Sequence, residues 1–369
     1  MRANAREFTT KSKSRKKAIP LRQNGNATLK DVAKDSGFSA ITVSRVINGV
    51  KSVRQETSNT INASIAKLKY SPNLAARTLA AGKQLRIGLL FNDVSNTFSS
   101  ELLAGSLEHA RLNHVQIEVG KCDVGRHEIK IIQELLAHGV DAMIVPPPLC
   151  DSERVHRFLA KENVLAVAVG STRPGSHLLT VRIDDYAAAA AMTGHLLKLG
   201  HRRIGFIVGD PAQGCSAQRL AGYKDALEEA RIGIDRDLIQ QGDFTFRSGL
   251  KATDQLLQLK NRPSAIFASN DNMAAATVAI AHRYHLDIPK DLSVCGFDDT
   301  EMSRSIWPEL TTIRQPIEIM SRVALQMLLS AIKARRESRP ITVKHRVLDF
   351  SLVRRDSDCA PALSDVRQS

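Results

Sequence analysis

The five cysteines of this chain (Cys122, Cys150, Cys215, Cys295 and Cys359) are odd in number and include no Cys-x-x-Cys pair. That usage argues against a disulfide framework and fits reduced thiols in the cytoplasm. The N-terminus lacks an apolar h-region, and no apolar run approaches the roughly 18 residues a membrane helix needs, so neither export nor a membrane is expected. Also missing are a nucleophile elbow, a glycine-rich phosphate loop and a GxGxxG fingerprint. The histidines, His109, His114, His127, His138, His195 and His201 among them, lack ligand spacing with acidic or cysteine partners. The chain therefore does not read as an enzyme, and no catalytic group, metal or cofactor is expected. Acidic residues are scarce at one end only. Residues 1–83 hold 17 Lys and Arg against 4 Asp and Glu, which is +13 of the chain's +14, leaving +1 on the other 286 residues. A basic front on a nearly neutral body is the footprint of a nucleic-acid-binding domain attached to something else.

Residues 1–26 contain Lys11, Lys13, Arg15, Lys16, Lys17 and Arg22 with almost nothing apolar, so they cannot bury enough surface to fold alone. They read either as a disordered arm touching phosphate or as a solvated tail. The next stretch, TLKDVAKDSGFSAITVSRVIN, reads as two short helices and a tight turn. Thr28 caps the first, with Asp31 in capping-box spacing, and Gly37 ends it where a left-handed backbone is needed. Ser39 caps the second. Val43, Val46 and Ile47 face the first helix and leave Ala40, Ile41, Ser44 and Arg45 outside. This is a helix-turn-helix layout, whose second helix enters the major groove of double-stranded DNA. Arg45 offers a fork to guanine or to phosphate. Ala40 and Ile41 offer apolar contact to a thymine methyl, while Thr42 and Ser44 suit the backbone.

The run DVAKDSGFSAITVSRVING resembles the headpiece signature of the LacI/GalR family of bacterial repressors. The match continues through a third helix (56–68) to Tyr70-Ser71-Pro72-Asn73 and Ala75-Ala76-Arg77-Thr78-Leu79, and with gaps to about residue 357. Arg54 departs from the pattern, standing where a Ser cap is usual. The resemblance implies that Thr28, Ser39, Asn48, Asn73 and Arg77 also contact DNA. It further implies a hinge helix whose Leu79 wedges into the minor groove at the operator centre, beside its copy from a second subunit.

From Arg86 onward, apolar strands alternate with amphipathic helices. Strands are expected at 87–91, 115–119, 142–146, 165–170, 204–209, 265–269 and 292–297, and the run restarts near Asp184. Two α/β lobes with parallel sheets follow. The resemblance makes the fold an all-α helix-turn-helix headpiece plus a two-lobed, periplasmic-binding-protein-like effector domain. The expected division is a basic arm (1–26), headpiece (27–71), hinge (72–83), effector and dimerisation domain (84–357) and tail (358–369). Within the effector domain, lobe 1 takes 84–183 and 316–344, and lobe 2 takes 184–315 and 345–357. The crossings then fall near Asp184, Gln315-Pro316 and His345. The tail has no leucine heptads, which favours a homodimer over a tetramer.

In such a fold, ligands collect beyond the carboxyl ends of the strands. Asp184, Asn270-Asp271 and Asp298-Asp299 fall at such ends. Each acid could instead cap a helix or hold a crossover. By resemblance, Arg219 is the effector-binding arginine, Asn270 and Asp298 its hydroxyl partners, and Phe244 the stacking aromatic. Phe98 and Ser99 follow the first strand, and Cys215 is a small wall residue of the same cleft. Arg, Asn and Asp around one aromatic suit a carbohydrate effector. A nucleobase or nucleoside, or a constitutive DNA-binding protein with a vestigial core, are the alternatives.

Overall fold

The computed structural model describes residues 28–47, 53–68, 84–92, 97–122, 125–173, 178–341 and 345–362. It separates into two units, 1–83 and 84–369, each taken by itself below. The expected arm (1–26) and hinge (72–83), with Asn48, Asn73, Arg77 and Leu79, lie outside the described residues.

The first unit packs α1 (Leu29–Ser36), α2 (Ala40–Ile47) and α3 (Gln55–Lys67) around fully buried Val32, Val43 and Ile61. The Thr28 capping box is present: Asp31 N–H donates to Thr28 Oγ1 at 3.3 Å, and Thr28 N–H donates to Asp31 Oδ2 at 2.8 Å. Gly37 closes α1 at φ +76°, a left-handed position that glycine takes at little cost. Arg54 caps α3 without a side-chain bond, as its departure from the pattern foretold. One tie was not anticipated. Asp35 on α1 accepts from Ser64 Oγ at 2.7 Å and Lys67 Nζ at 2.8 Å on α3, and these bonds, Lys67's first, lower its pKa.

Among the described residues, the second unit holds two six-stranded sheets. The first has the order β11-β5-β4-β3-β1-β2 and the second β12-β10-β9-β8-β6-β7, parallel throughout except β12 against β10. In chain order, lobe 1 begins with β1 (Arg86–Phe91), α4 (Thr97–Leu112), β2 (Gln116–Lys121), α5 (Glu128–Ala137) and β3 (Ala142–Val145). It continues with α6 (Glu153–Lys161), β4 (Leu165–Val169) and β5 (Leu179–Ile183). Lobe 2 follows with α7 (Asp185–Leu199), β6 (Ile204–Val208), α8 (Gly214–Glu229), β7 (Ile239–Gln241) and α9 (Phe246–Leu257). Its remaining elements are β8 (Ala265–Ala268), α10 (Asp271–Arg283), β9 (Ser293–Asp298), the short α11 (Met302–Ser305) and β10 (Thr311–Arg314). The chain then returns through α12 (Ile317–Arg336) and β11 (His345–Leu348) to lobe 1, and ends on β12 (Ser351–Val353) in lobe 2.

Both faces of each sheet are covered, so alternate side chains along a strand enter different cores. Ile87, Leu89 and Phe91 face α4 and α12, while Leu90, Met143 and Val145 face the opposite core. Lobe 2 repeats this, with Ile207 and Ile266 on one side and Phe206 and Phe267 on the other. All seven expected strands are present, with ends shifted by up to two residues; β5, β7, β10, β11 and β12 were not anticipated.

Two boundaries need correction. The third crossing lies after Leu348 and not near His345, because 345–348 pair in parallel with Thr180–Ile183 and so extend the lobe 1 sheet. The folded domain also does not stop at Ser357. Asp358 is 4% exposed; it accepts from Thr311 Oγ1 and lies 2.8 Å from His195 Nε2, while Cys359 N–H donates to Ser293 Oγ. His201 is buried between Ser264 Oγ and the Cys359 carbonyl. Replacing Asp358 with Ala strands the buried Thr311 hydroxyl and the half-buried His195 imidazole, and the expected cost to the α/β unit is about 1–3 kcal/mol. A denaturant titration checks this; an unchanged midpoint would show these C-terminal residues to be dispensable.

Candidate functional site

On the first unit, α2 presents Ser39, Ala40, Ile41 and Arg45 to solvent, with Thr42 and Ser44 half-buried. Ile41 is 68% exposed on that outer face. Ser39 Oγ accepts from Thr42 N–H at 3.2 Å and pairs with the Thr42 hydroxyl at 2.9 Å, so it caps α2 as expected. The hydroxyl of Thr28 is likewise held by Asp31. The freely offered groups on the outer face are therefore Ala40, Ile41 and Arg45.

In the second unit, strand carboxyl ends of both lobes converge on one cavity. Lobe 1 contributes Phe98, Pro147 and Gly170; lobe 2 contributes Asp185, Gln213, Cys215, Arg219, Phe244, Asn270 and Asp298; Gln315 comes from the second crossing. Six of the eight expected effector residues meet there. Ser99 is buried next to Phe98 on α4 but does not line the cavity. Asp184 is the other correction. It is exposed and caps α7, accepting from Ala187 N–H at 3.0 Å, because its backbone is extended and its side chain turns back over the first turn. The acid of this crossing that lines the cavity is its neighbour Asp185, which sequence reading missed by one residue.

Arg219 is the centre of the constellation. Its Nε donates to Asp185 Oδ1 at 2.9 Å, its Nη1 donates to the Ser269 carbonyl, and Asp298 Oδ1 lies 3.8 Å away. The guanidinium carbon sits 3.6 Å from the Phe297 ring centroid and 5.7 Å from that of Phe244. Asn270 is the N-cap of α10: Oδ1 accepts from Met273 N–H, and Nδ2 donates to the Phe244 carbonyl at 2.9 Å. That bond helps hold Phe244 at φ +69°, a position of real strain for an aromatic residue. Asp298, at φ +111°, accepts from Gln315 Nε2 at 2.7 Å. Burial pushes its carboxyl up to about 7, against the pull of Arg219.

The neighbouring acids face elsewhere. Asp271 does not cap α10; it is buried and accepts from Thr300 N–H and Thr312 Oγ1. Asp299 turns away to Arg314, Arg355 and Ser303. The Cys215 thiol is pushed up to about 12, chiefly by burial, which fits an inert wall.

The cavity measures about 40 Å³, room for a few waters, whereas small-molecule sites run to roughly 300 Å³ or more. At that size the cavity holds water and is too small for a molecule of ordinary ligand size. A wider groove of about 420 Å³ lies between α12 and the β5–β11 edge; among its described lining residues Arg346 alone is charged, and none of the convergent polar groups lines it.

An exposed reading helix in a helix-turn-helix, together with a two-lobed α/β body closing on a polar cavity, defines a ligand-responsive DNA-binding regulator. Residues 28–73 match the family model of bacterial regulatory proteins, lacI family, and residues 193–357 match that of the periplasmic binding protein-like domain. Catabolite control protein A of Priestia megaterium is 32% identical over 325 residues, 87% of this chain and 98% of its own. The HTH-type transcriptional repressor PurR of Salmonella paratyphi B is 33% identical over 331 residues, 88% and 96% of the two chains. Among solved structures, the transcriptional regulator CelR–cellobiose complex aligns with TM-score 0.68 at 27% identity, covering 90% of this chain and 99% of its own. The lac repressor dimer bound to operator and the anti-inducer ONPF aligns with TM-score 0.67 at 28%, covering 91% and 100%. The chain belongs to the LacI family of bacterial transcriptional regulators. These relatives are regulators and not enzymes. Among the described residues no helix is long and apolar enough to cross a membrane.

The two acids at the first crossing give opposite expectations. Asp184→Ala removes a helix cap and should cost about 1 kcal/mol. Asp185→Ala leaves Arg219 buried with much of its charge unanswered and should cost about 3–5 kcal/mol. Parallel thermal denaturation of the two variants checks this, and a larger loss for Asp184→Ala would reverse the assignment.

Proposed function

We propose that this protein is a cytoplasmic repressor of carbohydrate-use genes that binds a pseudopalindromic operator as a homodimer and responds to a small sugar-like effector between its lobes. The observation that carries the effector class is the convergence of Arg219, Asp185, Asp298 and Asn270 beside Phe244 in one cavity. Buried polar groups must have their hydrogen bonds returned. A ring with several adjacent hydroxyls does so while its C–H face stacks on the aromatic. The likeness to a regulator solved with cellobiose supports this reading. The second reading, a nucleobase or nucleoside, draws on Phe244, which would stack on a flat base equally well. Phe98 takes the lobe 1 side of the site, with Gln315 and Gln213 as added hydrogen-bonding partners. The expected division into arm, headpiece, hinge and effector domain is retained with the two corrected boundaries. Leu79 is assigned to the minor groove, and Asn48, Asn73 and Arg77 to further contacts with DNA.

Calorimetry of the protein against sugars, sugar phosphates and nucleobases tests the effector class; a purine that binds when no sugar does would overturn it. A pH dependence accompanies the sugar reading. Effector hydroxyls that donate to Asp298 favour its carboxylate, so binding releases a proton from a group that titrates near 7 in the free protein. Affinity should rise as pH goes from 6 to 8, and Asp298→Asn should flatten that rise. A flat wild-type profile would remove Asp298 from the contact.

Operator reading is tested at α2. Exchanging Arg45 should cost about 1–3 kcal/mol and relax one symmetric base position if it reads a guanine. Polar replacements of Ala40 and Ile41 should change the operator recovered in a randomised-site selection. An unaltered preference would move the reading surface elsewhere.

A further inference from the structure

The lobes also touch at a point that none of the effector residues uses. Asp151 ends the short turn Leu149–Asp151 after β3, in lobe 1, and is 5% exposed. Its Oδ1 accepts from Ser171 Oγ at 2.7 Å and from Thr172 N–H at 3.2 Å, both in the loop after β4. Its Oδ2 reaches into lobe 2 and accepts from the backbone N–H of Gly214 at 2.8 Å. Gly214 is the first residue of α8, the helix that carries Cys215 and Arg219 into the cleft. The residue at the N-cap position, Gln213, makes no side-chain cap. A helix start leaves backbone donors unsatisfied and carries partial positive charge, so a carboxylate placed there is favoured on both counts. Lobe 1 thus supplies the cap that α8 lacks within its own lobe.

The second partner is a glycine whose open side is filled from lobe 1. A Cβ on residue 214 would stand 1.8 Å from Thr172 Oγ1 and 3.1 Å from Asp151 Oδ2. With Thr172 in place, a side chain there would press against lobe 1 at this rim. A weaker contact crosses elsewhere, where Glu301 N–H donates to Glu101 of α4 at 3.2 Å.

We propose that Asp151 and Gly214 form a closure latch, a positioning pair that holds lobe 1 against the start of the Arg219 helix and sets how readily the cleft opens. The latch does not depend on which class of effector the cleft accepts, so its test uses none. Cys215 lines the cleft and reports opening, whereas Cys122 and Cys295 lie inside lobe 1 and lobe 2 and report unfolding. The full-length protein is treated with a small alkylating reagent, and modification is followed at each cysteine by mass spectrometry.

Asp151→Ala and Gly214→Ala should each speed labelling of Cys215 by about tenfold or more, the order set by losing one charge-assisted hydrogen bond. Cys122 and Cys295 should keep their wild-type rates. Adding Thr172→Ala to Gly214→Ala removes the nearest clashing atom and should bring the Cys215 rate back toward wild type. Equal acceleration at all three thiols, no acceleration at Cys215, or no recovery in the double variant would overturn the latch.

Discussion

A guanidinium with 5% exposure, as in Arg219, cannot stand unpaired in a protein interior, and much of the second unit can be read as its answer. Asp185 supplies charge from the first crossing, Ser269 a carbonyl from the end of β8, and Phe297 a ring face from β9. Parallel strands make this possible, because their carboxyl ends bring residues far apart in sequence to one edge. The same requirement explains the strained backbone at Phe244 and Asp298, where side chains must turn into the cleft just as their elements end.

The legible parts of the sequence were those governed by periodicity or by turn chemistry. The capping box at Thr28, the left-handed Gly37 and the buried Val43 follow from local rules, and so do the fully buried strands, which read as apolar runs. β7 and β12 escaped because they are three-residue edge strands, half exposed, with little apolar pattern. β10, Thr-rich and short, likewise lacks a run of large side chains.

At the site, residues fixed by motif were found, while those fixed by tertiary approach were not. Asp184 and Asp185 are equivalent in a sequence; which one caps the helix and which meets Arg219 depends on where β5 stops. Gln315 was visible only as a crossing, since its role arises from a contact with Asp298 seventeen residues away in the chain. Asp151 had no local signal at all. Its partners come from the loop after β4 and from the first residue of α8 in the opposite lobe.

The chain passes between lobes three times, so neither lobe is a continuous stretch. Leu102 on α4 packs in a core completed by Met320, Ala324 and Leu328 of α12, more than two hundred residues later. During synthesis from the N-terminus, lobe 1 must wait for most of lobe 2 to be made before that face can be covered. The nascent protein therefore carries an open apolar surface through much of its translation. Lobe 2 can assemble most of its sheet meanwhile, so the lobe begun first is also completed late.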